Sequence, residues 1–299
     1  MDKMKPDILC VGSVLWDIIG RTPAHMASGA DVPGRITRLP GGVALNIAMT
    51  LARFGLSPSA LTAIGRDAEG EELAAEVARL GVDLTHAYRS EDLPTDRYMA
   101  IEGANGLIAA LADAHSLEAA GDKILRPLAD GRLGSEASPW TGLIALDGNL
   151  TLGLLADIAT SALFARSDLR IAPASPGKAE RLLPLLAHPK AAFYVNLEEA
   201  GLLCQTRFDT APTAAEALLA RGARRVLVTD GGRATADGKA GEGVISAAPR
   251  PVLVTRVTGA GDTFMAAHIV AESRGANRRD ALARALEAAA LYVSGDIGS

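Results

Sequence analysis

The sequence predicts an α/β fold in which a mostly parallel sheet carries helices on both faces, and three observations lead there. Short apolar, strand-like runs alternate with helix-period stretches along most of the chain. Hydrophobic residues make up 48% of 299 positions against 22% charged, enough for a large buried core and too much for a mainly disordered chain. No internal repeat and no Ser/Pro/Gly linker interrupts the pattern, so residues 1–299 read as one continuous domain.

The elements follow in order. Ile8 to Gly12 reads as a buried strand, and LWDIIGRTP continues as a second extended piece. Residues 43–54 place Val43, Ile47, Leu51 and Phe54 at helical spacing, with Gly55 at the helix end and a Gly-Gly turn before it. LTAIG then reads as a strand, residues 69–81 as an amphipathic helix and residues 82–89 as a strand. Residues 93–113 break the rhythm with two extended segments about Gly103-Ala104-Asn105-Gly106, a hairpin signal. Alternation resumes with strands at 142–149, 169–175 and 191–196 and helices at 150–167 and 178–188. Helices at 198–204 and 213–222, a strand at 224–232 and a β stretch over about 243–257 lead to helices at 261–275 and 280–294.

Composition also narrows the function. A net charge of -5 and only 4% aromatic residues give neither a basic footprint nor a stacking surface for nucleic acid, and Arg224-Arg225 and Arg278-Arg279 read as solvated helix ends. Cys10 and Cys204 read as buried thiols. With no apolar run long enough for a membrane span and no signal-peptide pattern, a cytoplasmic setting away from membranes is expected. P-loop, GxGxxG, GxSxG and histidine-metal spacings are absent.

In such a sheet the chemistry belongs in strand-to-helix turns. VTGAGDTF, residues 257–264, sets Gly259, Ala260 and Gly261 before Asp262 at a helix start. Its exposed N–H groups suit a phosphate, and a carboxylate beside them can serve as a base, although Asp262 could also be only a helix cap. In PGGVALN, Gly41 and Gly42 would let a small molecule approach the backbone. Asn46 and Asp17 could clamp sugar hydroxyls, and a tight turn with a surface Asp explains them as well. Asn196 and Glu199 in VNLEEAG could hold hydrated Mg²⁺ or form a capping box. Thr229 and Gly231 end a strand and could meet nucleotide phosphates or simply turn the chain.

GGVALNIAMTLARFG followed much later by VTGAGDTF resembles the two signatures of the PfkB (ribokinase-like) carbohydrate and nucleoside kinase family. IGRDAEG, NLEE and VTDGG fall between in family order. The resemblance implies a three-layer sandwich about a mainly parallel sheet of about eight strands, with a small β lid built from excursions near residues 13–36 and 93–112. It implies Asp262 as the base that deprotonates the acceptor hydroxyl, with the N–H groups of Gly259, Ala260 and Gly261 stabilising the moving phosphoryl charge. Asp17, Gly41, Gly42 and Asn46 would bind the acceptor, Asn196 and Glu199 would position Mg²⁺ through water, and Asn196, Thr229 and Gly231 would line ATP. Lids in the family pair between subunits, which offers a homodimer.

PGRI, GLIAALADAHSLEAA, DGNLT and PASPGKAERL resemble the pseudouridine kinase branch. That likeness implies phosphorylation of the 5'-hydroxyl of pseudouridine, with Lys178 near the nucleotide phosphates and Thr95 and Tyr98 facing the nucleoside. Ribose, another sugar or a purine nucleoside is the alternative acceptor, and a catalytically silent sugar- or nucleotide-binding regulator the alternative of a different class. Two positions depart from the family. Arg256-Val257-Thr258 stands where many members carry Asp-Thr-Thr, which argues against activation by a monovalent cation, and Ala234 replaces the last glycine of TxGxxG.

Overall fold

The computed structural model describes residues 5–27 and 29–295. The chain runs through β1 (Ile8–Val11), β2 (Leu15–Arg21), β3 (Arg35–Gly41), α1 (Val43–Arg53), β4 (Pro58–Leu61), β5 (Ala63–Gly65), α2 (Ala68–Arg79) and β6 (Tyr88–Ser90). The hairpin of β7 (Arg97–Gly103) and β8 (Gly106–Asp113) precedes α3 (His115–Ala120), β9 (Leu143–Asp147), α4 (Leu152–Thr160) and β10 (Asp168–Ala172). After these come β11 (Ala191–Asn196), α5 (Leu197–Cys204), α6 (Ala211–Ala220), β12 (Arg225–Thr229), β13 (Thr235–Lys239), β14 (Gly243–Ala247), α7 (Ala260–Ser273) and α8 (Arg278–Ser294).

Eight strands form the main sheet in the order β14-β13-β12-β11-β10-β9-β1-β4, parallel from β4 to β12 and antiparallel at β13 and β14. Because both faces are covered, the central strands are apolar throughout: β1 is buried at every position. One face packs on α4, α5 and α6 through Leu155, Leu203 and Leu218, and the other on α1, α7 and α8 through Leu45, Met265 and Leu282. The chain moves outward from β1 to β4 and later in the opposite direction from β9, so the crevice beyond the ends of β1 and β9 is the switch point where such sheets hold ligands.

A second sheet, β3-β2-β7-β8, stands off this core as the expected lid, with β3 running on to Gly41. Ile36, Leu39, Met99, Leu107 and Leu111 are exposed on its strands.

Several expectations are corrected. The strand over 82–89 shrinks to β6, and the 150–167 helix ends at Thr160, with Ser161 extended at its C-cap. The segment around 178–188 is a 3-10 helix, Pro176–Leu185. Pro184 lies inside it and cannot donate to an α-helical ladder. The β stretch over 243–257 stops at Ala247 ahead of Pro249 and Pro251, whereas β13 had no strand-like signal in the polar run TADGK. Cys10 is buried, as expected, but Cys204 is only partly so.

Arg225 and Arg278 are not solvated helix ends. Both bind the fully buried Asp237, and Arg225 also pairs with Glu272 of α7, which Arg170 of β10 clasps from the other side. Tyr194 Oη lies 2.9 Å from His268 Nδ1 beside this cluster. The flanking guanidinium groups overcome burial and hold Glu272 down at about 2, while burial keeps His268 neutral, its value lowered to about 4. Charged pairs so placed fasten α7 to the sheet.

Candidate active site

The ends of β1 and β9 meet the start of α1 at Asp147. Its buried carboxylate accepts from Ser13 N and Oγ, both at 2.8 Å, from Ala44 N at 3.0 Å and from Asn149 N at 2.8 Å. Gly42 has no side chain to cap α1. The orphan N–H groups of the first turn are therefore taken by the tertiary fold: Val43 donates to Ser13 Oγ, Ala44 to Asp147 and Leu45 to Ser13 O. Asn149 Nδ2 donates to Ser13 Oγ at 2.9 Å, and Lys178 Nζ donates to Asn149 Oδ1 at 2.6 Å. Sequence reasoning quoted DGNLT only as a likeness and missed Ser13, Asp147 and Asn149 as a connected set. A carboxylate ending a central parallel strand was the available signal.

The two glycines act differently from expectation. A Cβ on Gly41 would lie 2.0 Å from Asp17 Oδ2, and one on Gly42, whose φ is +99°, would lie 2.4 Å from Ser13 O. What approaches these backbones is the protein's own carboxylate and carbonyl, not open space for a ligand.

A cavity of about 620 Å³ opens beside α1 and the start of α7 and is lined by Asp17, Asn46, Thr258, Gly259 and Asp262 among others. The Asn46 side chain hydrogen-bonds the Asp262 carboxylate and pulls its pKa down. Burial outweighs that pull, and with Asp147 and Glu199 adding to it lifts Asp262 to about 7. Burial likewise raises Asp17 to about 6. Tyr98 pairs across the strands with Asp17, half-buried. Thr95 faces elsewhere: its hydroxyl and its N–H both donate to Asp67, at 2.6 and 2.8 Å.

Gly259 caps α7 in the left-handed region at φ +87°, and a Cβ there would lie 2.5 Å from the Tyr292 hydroxyl. The expectation of three free donors is corrected in part. Ala260 N donates to Val257 O at 3.0 Å inside the turn, so the open N–H groups among the described residues are those of Gly259, Gly261 and Asp262. Space beside Gly261 is empty.

A second cavity, of about 900 Å³, lies beyond β11 and β12 and is lined by Asn196, Leu197, Gln205, Phe208, Thr229, Asp230 and Gly231. Asn196 and Glu199 form the capping box. Asn196 Oδ1 accepts from Glu199 N, and Glu199 Oε2 accepts from Asn196 N, each at 2.8 Å. Burial raises Glu199 to about 7. The box leaves Glu199 Oε1 and the second lone pair of Asn196 Oδ1 as acceptors for water, an oxygen set that fits outer-sphere Mg²⁺.

The chain belongs to the pfkB family of carbohydrate kinases, which it matches over residues 5–296. It is 28% identical over 275 residues to fructoselysine 6-kinase of Shigella flexneri, covering 85% of this chain and 89% of that protein. It is 33% identical over 147 residues to the uncharacterized sugar kinase YeiI of Escherichia coli, where it spans 45% of this chain and only 41% of the relative. The match to Escherichia coli pseudouridine kinase is 33% over 78 residues, 26% of this chain and 25% of that protein. Among solved structures, a carbohydrate kinase from Agrobacterium tumefaciens superposes with TM-score 0.79 and 27% identity over 98% of this chain and 94% of the other. Arabidopsis thaliana ribokinase complexed with ribose and ATP superposes with TM-score 0.74 and 22% identity over 97% and 93%. The chain is thus a carbohydrate kinase of the ribokinase-like fold.

Proposed function

We propose that this kinase transfers the γ-phosphoryl group of ATP to a primary hydroxyl of a furanose-bearing small molecule. The observation that carries this reading is Asp262: a half-buried carboxylate whose desolvation lifts its pKa to about 7, hydrogen-bonded to Asn46 and set beside open N–H groups at the start of α7. Asp262 takes the proton of the acceptor hydroxyl, and a pKa near the working pH suits a base that must be ionised yet able to hold that proton. The N–H groups of Gly259 and Gly261 meet the charge that develops on the transferring phosphoryl group. Asp17, Asn46 and, from the lid, Tyr98 orient the acceptor. Gly41 and Gly42 shape this side by admitting Asp17 and Ser13, and Thr95 acts only through Asp67.

On the nucleotide side, Asn196, Thr229 and Gly231 line the bound ATP, while Lys178, steered by Asn149, reaches its phosphates. Mg²⁺, when bound, neutralises phosphate charge, and Asn196 and Glu199 are the residues that hold its waters. With Arg256 in place of the family's aspartate, no monovalent cation is proposed.

Two acceptors compete. Pseudouridine is favoured by the four branch-like segments, two of which supply Asn149 and Lys178. A sugar derivative is favoured by the fructoselysine 6-kinase likeness along 85% of the chain. Measuring ADP formation with pseudouridine, uridine, adenosine, ribose and fructose under Mg²⁺ separates them, and turnover of the sugars with none of pseudouridine ends the nucleoside reading. We also propose that two copies pair through the exposed apolar residues of the lid in the cytoplasm. Leu111→Lys, at a residue 70% exposed, should then shift the protein from dimer to monomer in light scattering.

A further inference from the structure

The acceptor-side cavity is lined by three guanidinium groups besides its carboxylates: Arg21, Arg53 and Arg256. Arg21 is neutralised by Glu102 at 2.6 Å. The other two have no carboxylate partner among the described residues. Arg256 is held rigidly, its Nε donating to Tyr292 O at 2.8 Å and its plane lying 3.9 Å over the Tyr292 ring, which leaves both terminal nitrogens free. Arg53 lies on the face of α1 formed by Asn46, Met49, Thr50 and Arg53, all of which line the cavity at i, i+3, i+4 and i+7 spacing. Charge is therefore sorted by depth: Asp17 and Asp262 are half-buried, whereas Arg53 and Arg256 stand exposed at the mouth.

We propose that the acceptor carries an anionic group, a carboxylate or a phosphate, which Arg53 and Arg256 bind while its far end presents the hydroxyl to Asp262. Seven helical residues separate Asn46 from Arg53, about 10 Å along the axis at 1.5 Å per residue. A lone sugar ring does not span that distance, but a ring with an extended substituent does. Forked guanidinium donors suit planar or tetrahedral oxyanions, and a single fixed fork such as Arg256 selects for them geometrically. The inference rests on the kinase reading above and sharpens it. A neutral acceptor such as pseudouridine meets only the deep part of the cavity and is outcompeted by a counterpart bearing an anionic substituent.

The test uses two matched pairs, fructose with fructose 1-phosphate and uridine with orotidine, each measured by calorimetric binding and by kcat/KM with ATP and Mg²⁺. At least one anionic member should bind tenfold or more tightly than its neutral partner. That preference should fall to about twofold in the Arg53→Gln/Arg256→Gln double variant and weaken with added salt. A merely structural role for the arginines would lower both members of a pair together and leave their ratio intact, and that result overturns the proposal. So does an affinity ratio within twofold in both pairs for the unaltered protein. Anion preference in binding without any turnover would instead uphold the arginine site while removing the kinase reading of these acceptors.

Discussion

The two cavities are built from different material. Under the proposed function the acceptor side works with ionisable side chains, Asp17 and Asp262, whose carboxyls burial lifts to about 6 and about 7. On the nucleotide side Asn196 and Glu199 are tied into a helix cap, and Thr229 and Gly231 offer a hydroxyl and a backbone turn. Glu199 is raised to about 7 as well, but its carboxylate is already committed to the backbone of the cap, whereas Asp17 and Asp262 line the other cavity with oxygens free to meet a ligand. Under the proposed function one half of the site decides whether chemistry occurs, and the other mainly decides how firmly the donor is held.

The largest test of that contrast is Asp262→Asn. Loss of a general base should lower kcat by about 10²- to 10⁴-fold. Stabilisation by ATP in a thermal melt should stay, because the donor cavity is untouched. An active variant would remove the contrast. Next comes pH. Deprotonation of Asp262 makes the base, so kcat/KM should rise as pH increases through about 7. Stability of the ligand-free protein should run the other way. Asp262 and Glu199 have folded values raised to about 7, so between pH 8 and 6.5 the folded state takes up protons that the unfolded chain does not, and the melting temperature should increase as pH falls. This window lies above that of His268, whose lowered value acts in the opposite sense only below about 6.5. In Asp262→Asn the stability gain should shrink; an unchanged slope would mean that Asp262 is ionised throughout. The smallest effect belongs to the cap. Asn196→Ala should cost about 1 kcal/mol of stability and raise the KM for ATP severalfold with little change in acceptor KM. Equal changes in both would show that the two sides are not separable.

Much of this was legible in the sequence because it depends on local rules. Alternating strand and helix signals led to the parallel core, and the glycine turns before α1 and α7 marked the two helix starts that border the acceptor cavity. What the sequence hid depends on partners far apart along the chain. Ser13, Asp147 and Asn149 meet across 134 residues and more, so no spacing announces them. The same holds for Arg225 and Arg278, which look like surface charges until Asp237 and Glu272 are brought under them. A Gly-Gly pair signals that something lies close to the backbone, but at Gly41 and Gly42 that something is Asp17 and Ser13, partners that sequence spacing does not reveal. The 3-10 segment at 176–185 kept a helical pattern of apolar residues, and only its internal proline hinted at the different winding.

The charged clasp on Glu272 has a mechanical consequence. It anchors α7, and with it Asp262, to two strands of the main sheet, β10 and β12, while Asp17 sits on a strand of the second sheet, which offers much of its surface to solvent. Under the proposed function, an acceptor that touches both Asp17 and Asp262 bridges a clasped helix and a solvent-facing sheet, and is itself the spacer that sets their gap. A molecule that engaged only Asp262 would fill the cavity without joining the two elements, and is expected to act as an inhibitor rather than a substrate.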